Sequence, residues 1–305
     1  MFVSRKLFFI LCVLTIIMII IFIYKKMTIT NIDGFTQTTP FLLKRNEDVY
    51  DDFYSEIYDN LFHSDKKTKY IINGIIDITN STPENSVFLD IGSGTGENII
   101  ELQNNNYNAF GVEKSRAMMK ISDKKCGCTK GYSKNINQEI IKYGNVLDPM
   151  LYEHSTFTHI LLLNETIYEF QDKKRLIHIL RGWLKRNGFL IVHIVSRKKY
   201  TEATIQEKEF NGVKYNASYI GGGGSGRGAA AASSAPTSTS EIVFQEKIID
   251  KKTSYTRQNE KTLYVEPILD LVQYIKHEGF IVHGIIDLKP ITNDEYQYLY
   301  IFESI

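Results

Sequence analysis

The chain has 305 residues, 43% of them hydrophobic and 12% aromatic, enough for one full-sized core with a small appendage and too much for a peptide-sized binder. Its 36 Lys and Arg nearly balance 35 Asp and Glu, and once residues 1–27, with four cations and no acid, are set aside, 32 basic and 35 acidic residues remain, a net charge of −3. A slightly acidic body does not neutralise phosphates, so no nucleic-acid partner is expected, and three cysteines make no disulfide framework.

Residues 7–24, LFFILCVLTIIMIIIFIY, are apolar apart from Thr15 and the closing Tyr24. A helix of that length spans roughly 27 Å at about 1.5 Å per residue, close to the thickness of a bilayer core. A cleaved signal peptide has a shorter apolar core ending at small residues, whereas this run meets Tyr24, Lys25 and Lys26. Residues 1–27 are therefore expected to be a retained single-pass transmembrane anchor. Arg5 and Lys6 nearly balance Lys25 and Lys26, so charge leaves its orientation open.

Residues 28–47 are polar and aperiodic and read as a tether to a domain over 48–305. Helices are expected over 48–62, with Tyr54 and Tyr58 on its apolar face, and over 67–78 before Pro83. From there strands (VFLDI, NAFGVE, EIIKYG, THILLL, GFLIVHIV) alternate with helical stretches (ENIIELQNN, SRAMMKIS, KKRLIHILRGWLK). Such continuous apolar strands predict an α/β fold with a mostly parallel sheet covered on both faces. Cys126 and Cys128 have no second ligand pair, so they read as a surface loop and no metal is expected. Residues 200–264 read as an inserted hairpin whose tip, GGGGSGRGAAAASSAPTSTS (221–240), is a flexible linker of natural or engineered origin. A helix opening at Glu266-Pro267 and stopping at Gly279, then FIVHGIIDL and YQYLYIFESI, close the domain.

FLDIGSGTGENI, residues 88–99, places Gly92, Ser93, Gly94 and Gly96 between a strand ending at Asp90 and a helix start. Glycine lets the backbone approach a ligand, and amides at the helix start face its polar groups. An acid after the next strand, here Glu113, can take ribose hydroxyls. A dinucleotide fingerprint would need its third glycine where Glu97 stands, and a diphosphate would be repelled by Asp90 and Glu97. The ordered set over residues 48–305 closely resembles the class I S-adenosylmethionine (SAM)-dependent methyltransferases. It comprises the glycine motif, Glu113, YGNVLDP, HILLLNETIYEF, LKRNGFLIV and YQYLYIFE.

That resemblance implies a Rossmann-like seven-stranded sheet with an antiparallel last strand, and SAM as cofactor. Asp90, Gly92, Ser93 and Gly94 would shape the methionine end of the pocket, Gly96 would pack the following helix, Glu113 would bind ribose and Asn145 would lie beside adenine. Asn164 and Glu165 would line the transfer site, Tyr54 and Tyr58 would belong to a lid helix, and Glu165, Tyr168 and His193 are the catalytic candidates. The acceptor is expected to be a small or lipid-like molecule at a membrane. Because SAM is made in the cytosol, the catalytic domain is expected on that face. A membrane-tethered SAM-binding scaffold without turnover, and a nicotinamide-dependent oxidoreductase, are the alternative readings. Oligomeric state is not legible.

Overall fold

The computed structural model describes residues 14–21, 41–126, 132–133, 136–202, 206–221 and 241–305, which fall into two units, Met1–Phe41 and Leu42–Ile305. In the first unit residues 14–21 are helical and exposed. The rest of the expected anchor lies outside the described residues, as do Cys128 and the linker from 222 to 240; among the described residues no helix is long and apolar enough to cross a membrane.

The second unit opens with β1 (Phe41–Arg45), α1 (Asp52–Phe62) and α2 (Asp65–Thr79). Next come β2 (Val87–Ile91), α3 (Glu97–Asn104), β3 (Asn108–Glu113), α4 (Arg116–Cys126), a short ribbon of β4 (Tyr132–Ser133) and β5 (Ile136–Glu139), and β6 (Ile141–Tyr143). β7 (Phe157–Leu162), α5 (Lys173–Trp183), β8 (Leu184–Val195) and α6 (Lys198–Glu202) complete the parallel half. Then follow β9 (Gln206–Phe210), β10 (Val213–Ile220), β11 (Glu241–Asp250) and β12 (Thr256–Tyr264). Finally α7 (Ile268–His277), β13 (Phe280–Asp287), α8 (Lys289–Thr292) and β14 (Gln297–Ser304) close the chain.

The central sheet has seven strands in the order β13-β14-β8-β7-β2-β3-β6. β2, β3, β6, β7 and β8 pair in parallel, and β14 is antiparallel to both of its neighbours. Strand periodicity divides the core in two. Leu89, Ile91, Phe110, Ile160, Leu162, Val192 and Ile194 join Leu176, Leu180 and Trp183 of α5 on one face. Phe88, Ala109, Leu161, Leu163 and Ile191 meet Ile72 and Ile75 of α2 and Ile99 and Leu102 of α3 on the other. With both faces buried, the polar chemistry of this sheet is confined to its ends.

Local signals set the helix ends. The Asp51 carboxylate accepts from Tyr54 N (3.1 Å), so α1 starts at Asp52, behind a 3-10 turn over Asn46–Val49. Ser64 caps α2, which starts at Asp65, two residues ahead of the expected position. Residues 41–45, expected within the tether, instead form β1 on the edge of a second sheet ordered β1-β12-β11-β10-β9. Pairing with β12, more than two hundred residues away in sequence, supplies the backbone partners, and nothing local announces them. The expected inserted hairpin is likewise larger than two strands: β9 to β12 form an antiparallel meander.

β10 and β11 stay in register up to Ile220↔Val243. Shortening residues 222–240 to a four-residue turn should therefore leave the thermal midpoint unchanged, and a fall of several degrees would assign the segment a structural role. Ile160→Ala, at a fully buried position of β7, should cost about 2–5 kcal/mol in urea unfolding; a loss below about 1 kcal/mol would mean the site collapses around the deletion.

Candidate active site

The chain leaves β2 through a turn in which Gly92, Gly94 and Gly96 have φ of +68°, +55° and +85°. Gly92 N and Ser93 N both donate to Val112 O (2.9 and 3.1 Å), which ties the turn to β3. A Cβ on Gly96 would lie 2.9 Å from Ser122 Oγ, so this glycine is needed to seat α3 against α4. At Gly94 the space is open, the nearest atom to an added Cβ being Gly92 O at 3.9 Å, and only the left-handed backbone forbids a side chain.

Glu113 ends β3 and is buried. Its Oε2 accepts from Gly94 N (2.8 Å) and its Oε1 from Ser115 N (2.6 Å). Burial raises its pKa, and these amide donors oppose the rise. Asp90 is 2% exposed and accepts from Asn98 Nδ2 (2.9 Å); burial pushes its pKa up to about 7. Ser93 Oγ is buried without a hydrogen-bond partner. Two carboxylates with no cation bonded to them among the described residues, a hydroxyl without a partner there and an open glycine backbone thus converge at the C-terminal edge of the sheet. α1 and the turn before it are bound to this edge: Thr95 Oγ1 donates to Asp59 Oδ1 (2.7 Å) and Ser115 Oγ to Tyr50 O (2.6 Å).

Across the turn, at the end of β7, Asn164 and Glu165 both adopt left-handed backbone, with φ of +49° and +65°. Consecutive non-glycine residues in this region are strained, by of order 1–3 kcal/mol each. Several contacts hold them. Lys67 Nζ donates to Asn164 Oδ1 (3.1 Å), Glu165 N donates to His193 Nδ1 (3.2 Å), Tyr200 OH donates to Glu165 Oε2 (2.7 Å), and Lys199 Nζ forms an ion pair with Glu165 Oε1. Burial alone would raise the Glu165 pKa, but Lys199 and His193 overcome it and hold the carboxyl down at about 2.

These contacts alter the catalytic expectations. Glu165 is an ion-paired clamp, not a free base. Burial pushes His193 down to about 3, and its Nδ1 is already accepting from the Glu165 amide. Tyr168 is fully buried; its hydroxyl donates to Val195 O (3.2 Å) and accepts from Val195 N (2.9 Å), which makes it a core residue. Tyr54 is also fully buried, its hydroxyl turned away to both oxygens of Glu246 (2.7 and 2.8 Å) in β11, while Tyr58 is half-buried against Tyr54 and Phe62. Asn145 lies in the exposed loop after β6, its Oδ1 accepting from Leu147 N (3.0 Å). Asp90, Gly92, Ser93, Gly94, Gly96 and Glu113 do come together, with Asn164 and Glu165 facing them. Sequence reasoning missed Lys67, Lys199, Tyr200 and Asp59; a lysine in the first turn of a helix carries no local sign of the strand end it reaches.

A parallel sheet with a reversed last strand, carrying a glycine turn and an acid after the second of its parallel strands at one edge, defines a class I SAM-dependent methyltransferase. The chain belongs to the methyltransferase-domain family, whose model matches residues 63–217. Among solved structures it is similar to a SAM-dependent methyltransferase from Clostridium acetobutylicum, at 17% identity and a TM-score of 0.60, covering 83% of this chain and 98% of that one. It is also similar to the CcbJ methyltransferase from Streptomyces caelestis (13% identity, TM-score 0.62, 84% and 98% covered). A third similar structure is SAM-bound CalS10, an amino pentose methyltransferase from Micromonospora echinaspora (12%, 0.58, 85% and 100%). No curated protein sequence matches the chain.

The raised pKa of Asp90 has a measurable consequence. Between about pH 4 and pH 7 the folded chain holds a proton on this carboxyl that the unfolded chain, with a usual carboxylate pKa, has already lost. Its contribution to stability is therefore greatest at low pH and falls as pH rises through that window, with a slope approaching roughly 1.4 kcal/mol per unit. Asp90→Asn keeps an acceptor for Asn98 and should flatten the profile, leaving the variant more stable than the parent at pH 8. Urea unfolding from pH 4.5 to 8 reads this out; parallel profiles for the two proteins would exclude it.

Proposed function

We propose that this methyltransferase acts on an amine of a small molecule, with its catalytic domain held at the cytosolic face of a membrane by residues 1–27. The observation that carries the cofactor assignment is the edge where Gly94 N, Glu113, Asp90 and the unpartnered Ser93 Oγ meet. Bound SAM supplies a methyl group on a positively charged sulfur that is already a good leaving group. In this reading Glu113, fixed by two amides, offers its remaining lone pairs to ribose hydroxyls, and Asp90 meets an ammonium group that favours its ionised form. Asn145 stands beside adenine, Gly92 and Gly94 let the backbone approach the methionine end, and Tyr58 faces the pocket from α1.

The preference for an amine comes from the strand ends. A hydroxyl must lose a proton to attack, and the three candidates there are unsuited to take it: Glu165 is held at about 2, His193 at about 3, and Tyr168 is spent on Val195. A neutral amine brings its own lone pair, so alignment in a shielded site carries most of the catalysis. That one of the similar structures is an amino pentose methyltransferase agrees with this choice. The membrane reading rests on the apolar run 7–24 and its flanking cations.

Four measurements test the proposal. Gly94→Val should abolish SAM binding in calorimetry while the circular dichroism spectrum is retained; preserved affinity would remove the cradle assignment. Methyl-labelled SAM offered with amine and alcohol pools should label the amines, and labelled alcohols alone would reverse the acceptor choice. The full chain should stay with carbonate-washed membranes, and protease added outside sealed cells should spare the domain; cleavage there would place it on the other face.

A further inference from the structure

The glycine turn occupies one edge of the central sheet. At the opposite edge a cavity of about 260 Å³ opens between the end of α2, the loop before β2 and the first residues of β7 and β8. Its floor is already bonded. His159 is stacked between Phe88 (ring centroids 4.3 Å apart) and Phe189 (5.3 Å). Thr79 Oγ1 donates to Ile75 O (2.7 Å), so Ser81 Oγ donates to Thr79 Oγ1 (2.6 Å) and accepts from His159 Nε2 (2.9 Å). Burial pushes His159 down to about 3, so near neutral pH its Nδ1 carries no proton and accepts from Thr158 Oγ1 (2.8 Å). The ring therefore brings no charge to the cavity.

The rim is different. Between the pairs Phe157↔Leu184 and His159↔Phe189 the register shifts, and residues 185–188 stand out of β8 as a bulge. A Cβ on Gly188 would lie 2.8 Å from Lys185 O and 3.0 Å from Thr158 O, so only glycine closes it. The bulge brings two exposed cations, Lys185 and Arg186, to the cavity, and neither has an ion pair or hydrogen bond among the described residues. No acid lines the cavity among the described residues, although the body of the chain is slightly acidic. The acids next to its lining segments, Asp77 and Glu84, act instead on Tyr107, whose pKa is raised by burial first and then by Glu84 and Asp77. Ser86 lines the cavity at 3% exposure, and its hydroxyl has no hydrogen-bond partner among the described residues. The side chains of Thr82 and Asn85 beside it are likewise unbonded there.

We propose that this cavity binds a phosphate-class dianion, free or as the phosphate ester of a small molecule. Lys185 and Arg186 neutralise it, and Ser86, Thr82 and Asn85 donate to its oxygens. The volume lies just below the roughly 300–1,000 Å³ of drug-sized ligand sites, the scale of a small phosphorylated compound. The strand starts are a sheet length away from the glycine turn, so the inference does not depend on the SAM assignment.

Calorimetry on the full chain tests it with inorganic phosphate, glycerol 3-phosphate and acetate as probes, ionic strength being held constant with sodium chloride. The parent should bind at least one of the two phosphates, and acetate about tenfold more weakly or worse. Replacing Lys185 and Arg186 together by Gln should weaken phosphate about tenfold or more, the usual worth of hydrogen bonds to a charged group, and Ser86→Ala should weaken it about threefold. Tighter binding of glycerol 3-phosphate than of phosphate would make the ligand an ester, and the reverse a free anion; either supports the site. Binding of neither phosphate above the chloride background would overturn it, as would unchanged affinity in the double variant, whose two side chains are exposed and leave the packing intact. Acetate binding as tightly as phosphate would overturn the ligand class. An equal loss on Lys276→Gln, at an exposed position of α7, would reduce the effect to general charge and refute the site.

Discussion

Covering a parallel sheet on both faces leaves only its strand ends for polar work. Leu89, Phe110, Ile160 and Val192 face one core and Phe88, Ala109, Leu161 and Ile191 the other, so a charged group within these strands would be stranded in apolar surroundings. The chemistry-bearing residues accordingly stand where the strands run out. Asp90 is the last but one residue of β2, Glu113 the last of β3, and Asn164 lies just past β7. Because parallel strands end together at one edge, residues far apart in sequence meet there without any direct pairing between them.

What covers that edge is held from a different quarter. The Glu246 carboxylate, fully buried in β11, accepts from Tyr54 OH of α1, Tyr215 OH of β10 (2.7 Å) and Asn259 Nδ2 of β12 (3.2 Å). Beside it, Arg257 bonds both oxygens of Asp51 (2.9 Å) and Val49 O (2.8 Å) at the start of the same helix. A buried acid removed from such a set leaves several hydroxyl and amide groups unpaired, which makes the network costly to break. α1 and the inserted sheet therefore behave as one piece, and the insertion positions the helix that reaches the glycine turn through Asp59 and Thr95.

The strained pair Asn164 and Glu165 shows how a site can be built from residues that do no chemistry. Left-handed backbone at both positions is retained because Lys67, His193, Lys199 and Tyr200 grip them from α2, β8 and α6. The same grip removes Glu165 and His193 from acid–base work near neutral pH. In the reading proposed above, catalysis by placement, with the acceptor supplying its own electron pair, suits such an arrangement better than proton abstraction does.

The fold class and the glycine edge were legible in the sequence because both follow from local rules. Continuous apolar strands alternating with amphipathic helices imply a doubly covered parallel sheet, and in FLDIGSGTGENI the glycines between a strand and a helix start, with Glu113 after the next strand, point to a ligand turn. The pairing of β1 with β12, the four-stranded extent of the insertion, the bonding of the Tyr54 hydroxyl to Glu246 and the burial of Tyr168 were not legible, since each depends on contacts across long stretches of chain. Sequence by itself determined which residue types lie at the strand ends. Tertiary structure alone decided which of them are free: Glu165 is neutralised by Lys199, 34 residues away, and Lys67 is left facing a neutral amide 97 residues away. Coulombic interactions are set by distance in space, and spacing along the chain does not encode it.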